Sequence, residues 1–197
     1  SRKKDSDYSV FCVVGWNTDR NVYLIHGERI RANLTERTAT LFRLVREFNP
    51  ILVGYERYGM QADIEHIQSE MRRVNYYFGI REMGGQTPKP DRIRRLIPWF
   101  EQGRLFLPVQ STFRDNEGSL RNFTREFVEE EYDTFPVCAH DDMLDCLARL
   151  AEPELGVGFP DAADGMNAVE RELARIAEKE FRGPHGLLYE WRDRDAF

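Results

Sequence analysis

Residues 8–16 form a dense run of β-branched and aromatic side chains, which limits the fold of this chain more than any other segment. A run of this composition predicts a buried β-strand. Turn-forming residues follow at 17–21, and the apolar segment 22–25 predicts a second strand that completes a hairpin. We expect a third strand over 29–33 to extend this hairpin.

Helical and strand patterns alternate along the rest of the chain. Amphipathic spacing predicts helices from the Thr35–Glu36 cap to Phe48 and over 61–73, 91–102, 120–132, 141–151 and about 166–181. Apolar runs predict strands at 51–56, 76–80 and 105–107. Pro98 is expected to kink or split its helix, and the polar segment 111–118 matches neither pattern. A meander followed by strands alternating with helices predicts a mixed α/β fold with a central sheet.

The composition excludes several classes of protein. The 28 basic and 34 acidic residues give a net charge of −6, which argues against a uniformly basic DNA-coating protein. No apolar run approaches the roughly 18 residues of a membrane span, so we expect no membrane partner. Three cysteines are too few for a disulfide framework and indicate a reducing compartment. Phosphate-loop, serine-elbow and paired-cysteine zinc motifs are absent from the sequence.

Glu56 ends a strand that is otherwise apolar. In open α/β sheets, ligands bind beyond the carboxyl ends of the strands, so this position favours a functional carboxylate. The alternative is a carboxylate that pairs with a nearby arginine or faces water.

Three aspartates, Asp141, Asp142 and Asp145, lie within or beside the first turn of a predicted helix. One or two of them can be explained as helix caps that also complement the helix dipole. Three such carboxylates repel one another unless a cation neutralises them, and oxygen ligands suit a hard divalent cation. Metal binding and capping therefore both remain open at this point.

A basic segment over 89–104 carries a local charge of +3 in a chain that is acidic overall. Arg92 and Arg95 are three residues apart, which predicts one polar helix face opposite the apolar side chains. Together with Lys89 and Arg104, this face could contact phosphates, or it could be an ordinary solvated surface.

The order of several motifs resembles the nuclease domain of the large terminase subunit of tailed bacteriophages over about residues 5–150. The motifs, in chain order, are Asp7–Ser9 leading into a strand, Asn21–Leu24, Glu56 with Gly59, Lys89–Ile93, Phe100–Glu101, Gly103–Pro108, Phe135–Pro136 and His140–Asp145.

This resemblance implies an RNase H-like nuclease domain, with a central mixed sheet flanked by helices, which we expect over 1–152. The pattern of the remaining residues predicts a helical extension and tail over 153–197. It implies an endonuclease that uses two Mg²⁺ or Mn²⁺ ions to cut concatemeric double-stranded DNA during genome packaging. Glu56, Asp142 and Asp141 would be catalytic, and the same residues with Asp145 would bind the metal. Expected partners are DNA, the ATPase domain of the parent chain, portal and small terminase, in the host cytoplasm.

The family carries its first catalytic aspartate upstream of the position that Asp7 matches, so the chain is expected to be an excised domain without that strand. Two other functions stay open. One is a different RNase H-like nuclease, such as a resolvase, which would cut specific sequences or structures. The other is a noncatalytic module that docks to DNA or to a portal, whose behaviour would not change when Glu56 and Asp142 are neutralised.

Overall fold

A computed structural model describes residues 8–56, 61–85, 87–152 and 155. Within these residues, small β-sheets are flanked by helices, which confirms the mixed α/β class. The strands are β1 (Ser9–Trp16), β2 (Val22–Ile30), β3 (Val53–Glu56), β4 (Ile80–Met83), β5 (Leu105–Phe106), β6 (Thr112–Arg114) and β7 (Leu120–Asn122). The helices are α1 (Leu34–Phe48), α2 (Gln61–Val74), α3 (Lys89–Arg94), α4 (Ile97–Glu101), α5 (Phe123–Glu126) and α6 (Asp142–Ala148). The helix expected at about 166–181 lies outside the described residues, and the domain boundary at 152/153 stays a prediction.

The strands form three separate sheets. The first has the order β1–β2–β5, with β1 antiparallel and β5 parallel to β2. The second pairs β3 and β4 in parallel, and the third pairs β6 and β7 in antiparallel orientation. The described strands therefore do not join into the single central sheet that the alternating pattern predicts. β1 is the outer strand of its sheet and has a hydrogen-bonded neighbour on one side only among the described strands.

The predicted hairpin is confirmed, but its second strand is longer than the sequence pattern indicates. Asn17 closes the turn because its side-chain oxygen accepts the backbone N–H groups of Asp19 and Asn21, each at 3.1 Å. β2 then runs without a break to Ile30, which pairs with Ser9. The expected third strand over 29–33 is therefore wrong. Polar side chains such as Glu28 interrupt the apolar pattern of β2 in the sequence, although they are buried against partners from elsewhere in the chain.

Helix α1 begins two residues earlier than the expected Thr35–Glu36 cap. Asn33 is the N-cap, and its side chain accepts the backbone N–H of Glu36 at 3.0 Å, while the Glu36 carboxylate accepts the N–H of Asn33 at 3.0 Å. This capping box satisfies two N–H groups that lack helical partners. The helix ends as predicted at Asn49, which adopts the left-handed conformation.

Two other predicted boundaries need correction. The strand expected at 76–80 begins only at Ile80, because Tyr76 and Phe78 precede it as irregular chain and pack against Phe42 of α1. The polar segment 111–118 contains β6, and the helix expected over 120–132 begins with β7 instead. Helix α5 follows and continues into a π-helical turn, Phe127–Tyr132. Pro98 does split its helix, into α3 and α4.

Two apolar clusters hold these elements together. The first includes buried residues of β2, α5, the π-helical turn and α6: Val22, Leu24, Ile30, Phe123, Phe127, Met143 and Leu147. The second joins α1, β3 and α2 through Leu41, Phe42, Val45, Val53, Ile67 and Met71. Phe11 of β1 packs against both clusters. The start of α6 and the end of β3 are therefore anchored on neighbouring parts of the core.

Candidate functional site

Glu56 is the last residue of β3, and its side chain is 45% exposed. A short contact joins its carboxylate to the guanidinium of Arg149, which follows α6. The expected apolar strand ending in a carboxylate is confirmed. Of the interpretations left open for Glu56, the structure shows the pairing with an arginine, and that arginine directly follows the helix that contains Asp142 and Asp145.

Lys89, the first residue of α3, lies between two of the aspartates. Its ammonium nitrogen is 2.6 Å from Oδ1 of Asp141 and 2.7 Å from Oδ1 of Asp142. All three side chains are about one-third exposed. Burial opposes the charge of the ammonium group, but the hydrogen bonds to the two carboxylates outweigh it and raise the pKa of Lys89. Lys89 is therefore a resident cation of this acidic pair.

The third aspartate is paired separately and lies deeper. Asp145 receives two hydrogen bonds from Arg92, at 2.5 Å from Nε and 2.7 Å from Nη2. Arg92 also lies 3.9 Å from Glu152, which in turn receives a 3.0 Å hydrogen bond from Arg149. The chain of ion pairs thus runs from Asp145 through Arg92, Glu152 and Arg149 to Glu56.

Lys89, Asp141 and Asp142 form one group of ion pairs, and the chain from Asp145 to Glu56 forms a second, with no ion pair described between them. The two groups together are called the ion-pair cluster below. It consists of Glu56, Asp141, Asp142, Asp145, Glu152, Lys89, Arg92 and Arg149. Five carboxylates against three cations leave two net negative charges. The repulsion expected among the aspartates is therefore largely offset by side chains of the protein. One negative charge remains in each of the two groups.

The predicted polar face of the basic segment needs correction. Arg92 was expected to share an exposed face with Arg95, but Arg92 is only 4% exposed whereas Arg95 is exposed. Ile97, an apolar residue of the same segment, is 45% exposed. The split between α3 and α4 changes which side chains point inward. Arg92 therefore has no free surface for a phosphate and serves as a buried counter-ion of Asp145.

The other basic residues predicted to contact DNA are more accessible. Arg95 donates to the Thr87 hydroxyl at 3.2 Å, and Arg104 donates to the backbone oxygen of Asp19 at 2.7 Å. Arg95 lies one helical turn beyond the position of Arg92 and near Lys89 in the chain, whereas Arg104 lies beside the β1–β2 turn. DNA contact by Lys89, Arg95 and Arg104 stays a prediction.

Glu131 is a site-forming residue that sequence reasoning missed. Its side chain is fully buried, and its two oxygens accept the backbone N–H groups of Met143 and Leu144 at 3.2 and 2.9 Å. These N–H groups belong to the first turn of α6, which has no cap from Asp141. Burial raises the pKa of Glu131, against the opposing effect of these hydrogen bonds. A run of acidic residues such as 129–131 is ordinarily solvated, but this one member fixes the start of α6.

Arg149 was missed as well, although the sequence contained a signal for it. It follows Asp142 by seven residues, which is close to two helical turns and places both on one helix face. A cation on the same face as the aspartates was therefore readable from the spacing. The pairing of Arg149 with Glu56, 93 residues earlier in the chain, could not be predicted from the spacing.

The carboxylates fit a divalent cation in part. Asp141 and Asp142 already hold one ammonium ion between them, so their oxygens converge on a single cation position. Mg²⁺ is commonly bound through one or two carboxylates with water completing its shell. Within the described residues, however, no three His, Cys, Asp or Glu side chains are grouped closely enough to hold one metal ion. The pair therefore offers two carboxylates to one ion, both of which contact Lys89, while Glu56 contacts Arg149.

The fold and the ion-pair cluster define a mixed α/β domain with a partly exposed acidic centre. Neither a protein-family model nor a curated protein matches the chain. Among solved structures, the chain is similar to the crystal structure of the large terminase nuclease from thermophilic phage G20c with bound magnesium. The identity is 18%, the match covers 75% of this chain and 81% of the other, and the TM-score is 0.39.

That neighbour belongs to the protein class that the ordered motifs resemble. The function proposed below is based on the side chains of this chain. In the described part of the chain, the helices are too short or too polar to cross a membrane.

Proposed function

We propose that this chain is an RNase H-like, metal-dependent endonuclease domain of a viral large terminase, which cuts concatemeric double-stranded DNA during packaging. The observation that carries the proposal is the chain of ion pairs that joins Glu56, from the end of β3, to Asp145 of α6, with the partly exposed Asp141–Asp142 pair at the start of the same helix. Carboxylates brought together from distant segments, and left partly exposed, are the groups that such hydrolysis requires.

In this proposal, Asp141 and Asp142 hold the divalent cation, and Glu56 at the end of β3 is the third catalytic carboxylate. A bound Mg²⁺ or Mn²⁺ would supply an activated water and would neutralise charge on the phosphate. Arg149 orients Glu56, and Arg92 with Glu131 holds the start of α6 in place. Asp145 is the buried counter-ion of Arg92, and this ion pair joins α3 to α6.

DNA is the proposed substrate, and Lys89, Arg95 and Arg104 are its proposed phosphate contacts. Arg95 is exposed, and Arg104 is partly exposed, so both side chains are accessible to a phosphate. The proposed partners are the ATPase domain of the parent chain, portal and small terminase, and the proposed location is the host cytoplasm.

Relaxation of supercoiled plasmid in Mn²⁺ tests this proposal. We expect the wild-type chain to nick the plasmid, EDTA to stop the reaction, and both Glu56→Gln and Asp142→Asn to slow it about 100-fold or more, since each removes a charged oxygen donor. Glu65→Gln removes the same charge from an exposed position on α2 and should cut like wild type. Equal cutting by all four proteins would contradict the assignment of the site.

A noncatalytic docking module is the second candidate function. The observation that favours it is that all four predicted carboxylate ligands already have a cationic partner within the chain. A docking module predicts no plasmid relaxation in Mn²⁺ by the wild-type chain. It also predicts the same DNA or portal binding for wild type, Glu56→Gln and Asp142→Asn.

A further inference from the structure

Two of the three cysteines meet between β1 and α6. Cys12 lies in the middle of β1, and Cys146 lies in α6. The Cys146 thiol donates to the backbone oxygen of Val10 at 3.7 Å, so its sulfur lies against β1, two residues from Cys12 along the strand. A side-chain hydrogen bond joins the two thiols, and this bond together with burial raises the pKa of Cys12.

The surroundings of the two thiols hold them in place and leave them accessible. Val10 and Cys12 pack against the first apolar cluster, to which α6 also contributes, so the core fixes the strand and the helix relative to each other. Cys12 and Cys146 are both partly buried and not fully enclosed, which leaves access for a small oxidant. A single buried cysteine behaves as a small apolar side chain, whereas two thiols in contact can also be converted to a disulfide.

We propose that Cys12 and Cys146 are a redox-active pair that hydrogen peroxide oxidises to a disulfide. One thiol attacks the peroxide, becomes a sulfenic acid and releases one water molecule. The second thiol then attacks the sulfenic sulfur, which forms the S–S bond and releases a second water molecule. Two thiols are thereby oxidised while one peroxide molecule is reduced to water. A thiol reductant such as dithiothreitol reverses the oxidation, as is usual for disulfides formed in a reducing compartment.

The disulfide ties β1 to α6, the helix that contains Asp142 and Asp145. The loop that it closes is long, since the contact of Cys146 with Val10 already spans 136 residues. A cross-link that closes a long loop restricts the unfolded chain strongly and so favours the folded state. We therefore expect the oxidised chain to melt about 5 °C or more above the reduced chain, and dithiothreitol to remove the difference.

Treatment of the folded full chain with hydrogen peroxide, followed by non-reducing mass spectrometry, tests this proposal. Cleavage before aspartate separates Cys138 from Cys146, because Asp145 lies between them. We expect the segments that carry Cys12 and Cys146 to be cross-linked, with Cys138 left as a free thiol. Oxidation of the chain unfolded in urea is the matched control. Pairing should then shift to Cys138 with Cys146, because cysteines close in sequence lose the least entropy on loop closure.

Cys138→Ser is the control variant, since this residue lies outside the pair. The folded variant should form the same cross-link as wild type, and neither protein depends on a substitution within the pair. Cys12→Ser should form no cross-link to Cys146. Three free thiols in the treated wild-type chain, a cross-link to Cys138, a cross-link between two chains or an unchanged melting temperature would overturn the proposal. The outcome is independent of the cleavage assay, since neither cysteine is a proposed metal ligand or DNA contact.

Discussion

Replacing Glu131 by alanine is expected to lower the free energy of unfolding by about 4 kcal/mol, because two buried N–H groups lose their acceptors and a cavity forms. The Glu131 side chain is fully buried, and its oxygens accept the N–H groups of Met143 and Leu144. Its oxygen also lies 3.8 Å from Arg29, which would lose part of its charge compensation. Urea denaturation followed by circular dichroism measures the change.

Glu129→Ala is the matched control for this variant. Glu129 belongs to the same acidic run but is exposed and pairs only with exposed Arg125 among the contacts described. Its replacement should change the free energy of unfolding by less than about 1 kcal/mol, as for other surface ion pairs. Similar losses in the two variants would show that Glu131 does not hold the start of α6.

Replacing Gly27 by alanine is expected to lower the free energy of unfolding by about 3 kcal/mol, at the upper end of the cost of overpacking. A Cβ atom at this position would lie 2.4 Å from Cδ1 of Phe123, and two further ring atoms lie at 2.5 Å. Phe123 is fully buried, so its ring has no free space to enter. Urea denaturation of Gly27→Ala and of Gly79→Ala measures the effect.

Gly79 is the control because an added Cβ atom there would meet no atom within 4 Å. Gly79→Ala should therefore leave stability almost unchanged. A second variant, Phe123→Leu in the Gly27→Ala background, should recover part of the loss because it removes the ring that causes the clash. Equal stability of Gly27→Ala and wild type would contradict the close approach of β2 to α5.

Local signals in the sequence were sufficient to place the main carboxylates. A short apolar strand bounded by Pro50 and ending in Glu56 was readable from composition alone, and β3 ends at that residue. A helix following Asp141 was readable from the spacing of its apolar residues, and α6 begins at Asp142. These features depend on neighbours within a few residues, which a single sequence displays.

The partners of those carboxylates could not be predicted in the same way. Lys89 and Asp142 are 53 residues apart, and Arg92 and Asp145 are separated by the same interval. A charged residue on a short helix is normally solvated, so nothing local distinguishes a buried Arg92 from an exposed Arg95. Their burial is decided by the packing of α3 against α6, which is a tertiary property.

The predicted boundaries of the later strands were wrong for a related reason. Tyr76 and Phe78 have strong strand propensity, yet they pack as irregular chain against α1 while pairing with β3 begins at Ile80. The strand propensity of such aromatic residues reflects their burial and does not by itself show that they pair with another strand. The β6–β7 hairpin has only three residues in each strand, too few to show an alternating pattern.

The position of the divalent-cation site is the central claim, and Mn²⁺ broadening of backbone amide NMR signals tests it most directly. Small amounts of Mn²⁺ added to the labelled full chain should broaden the amide signals of Glu56, Asp141, Asp142 and Met143 first. The same addition to Asp142→Asn should leave those signals sharp. Broadening centred on the acidic run 129–131, or unchanged in Asp142→Asn, would contradict a cation site between the end of β3 and the start of α6.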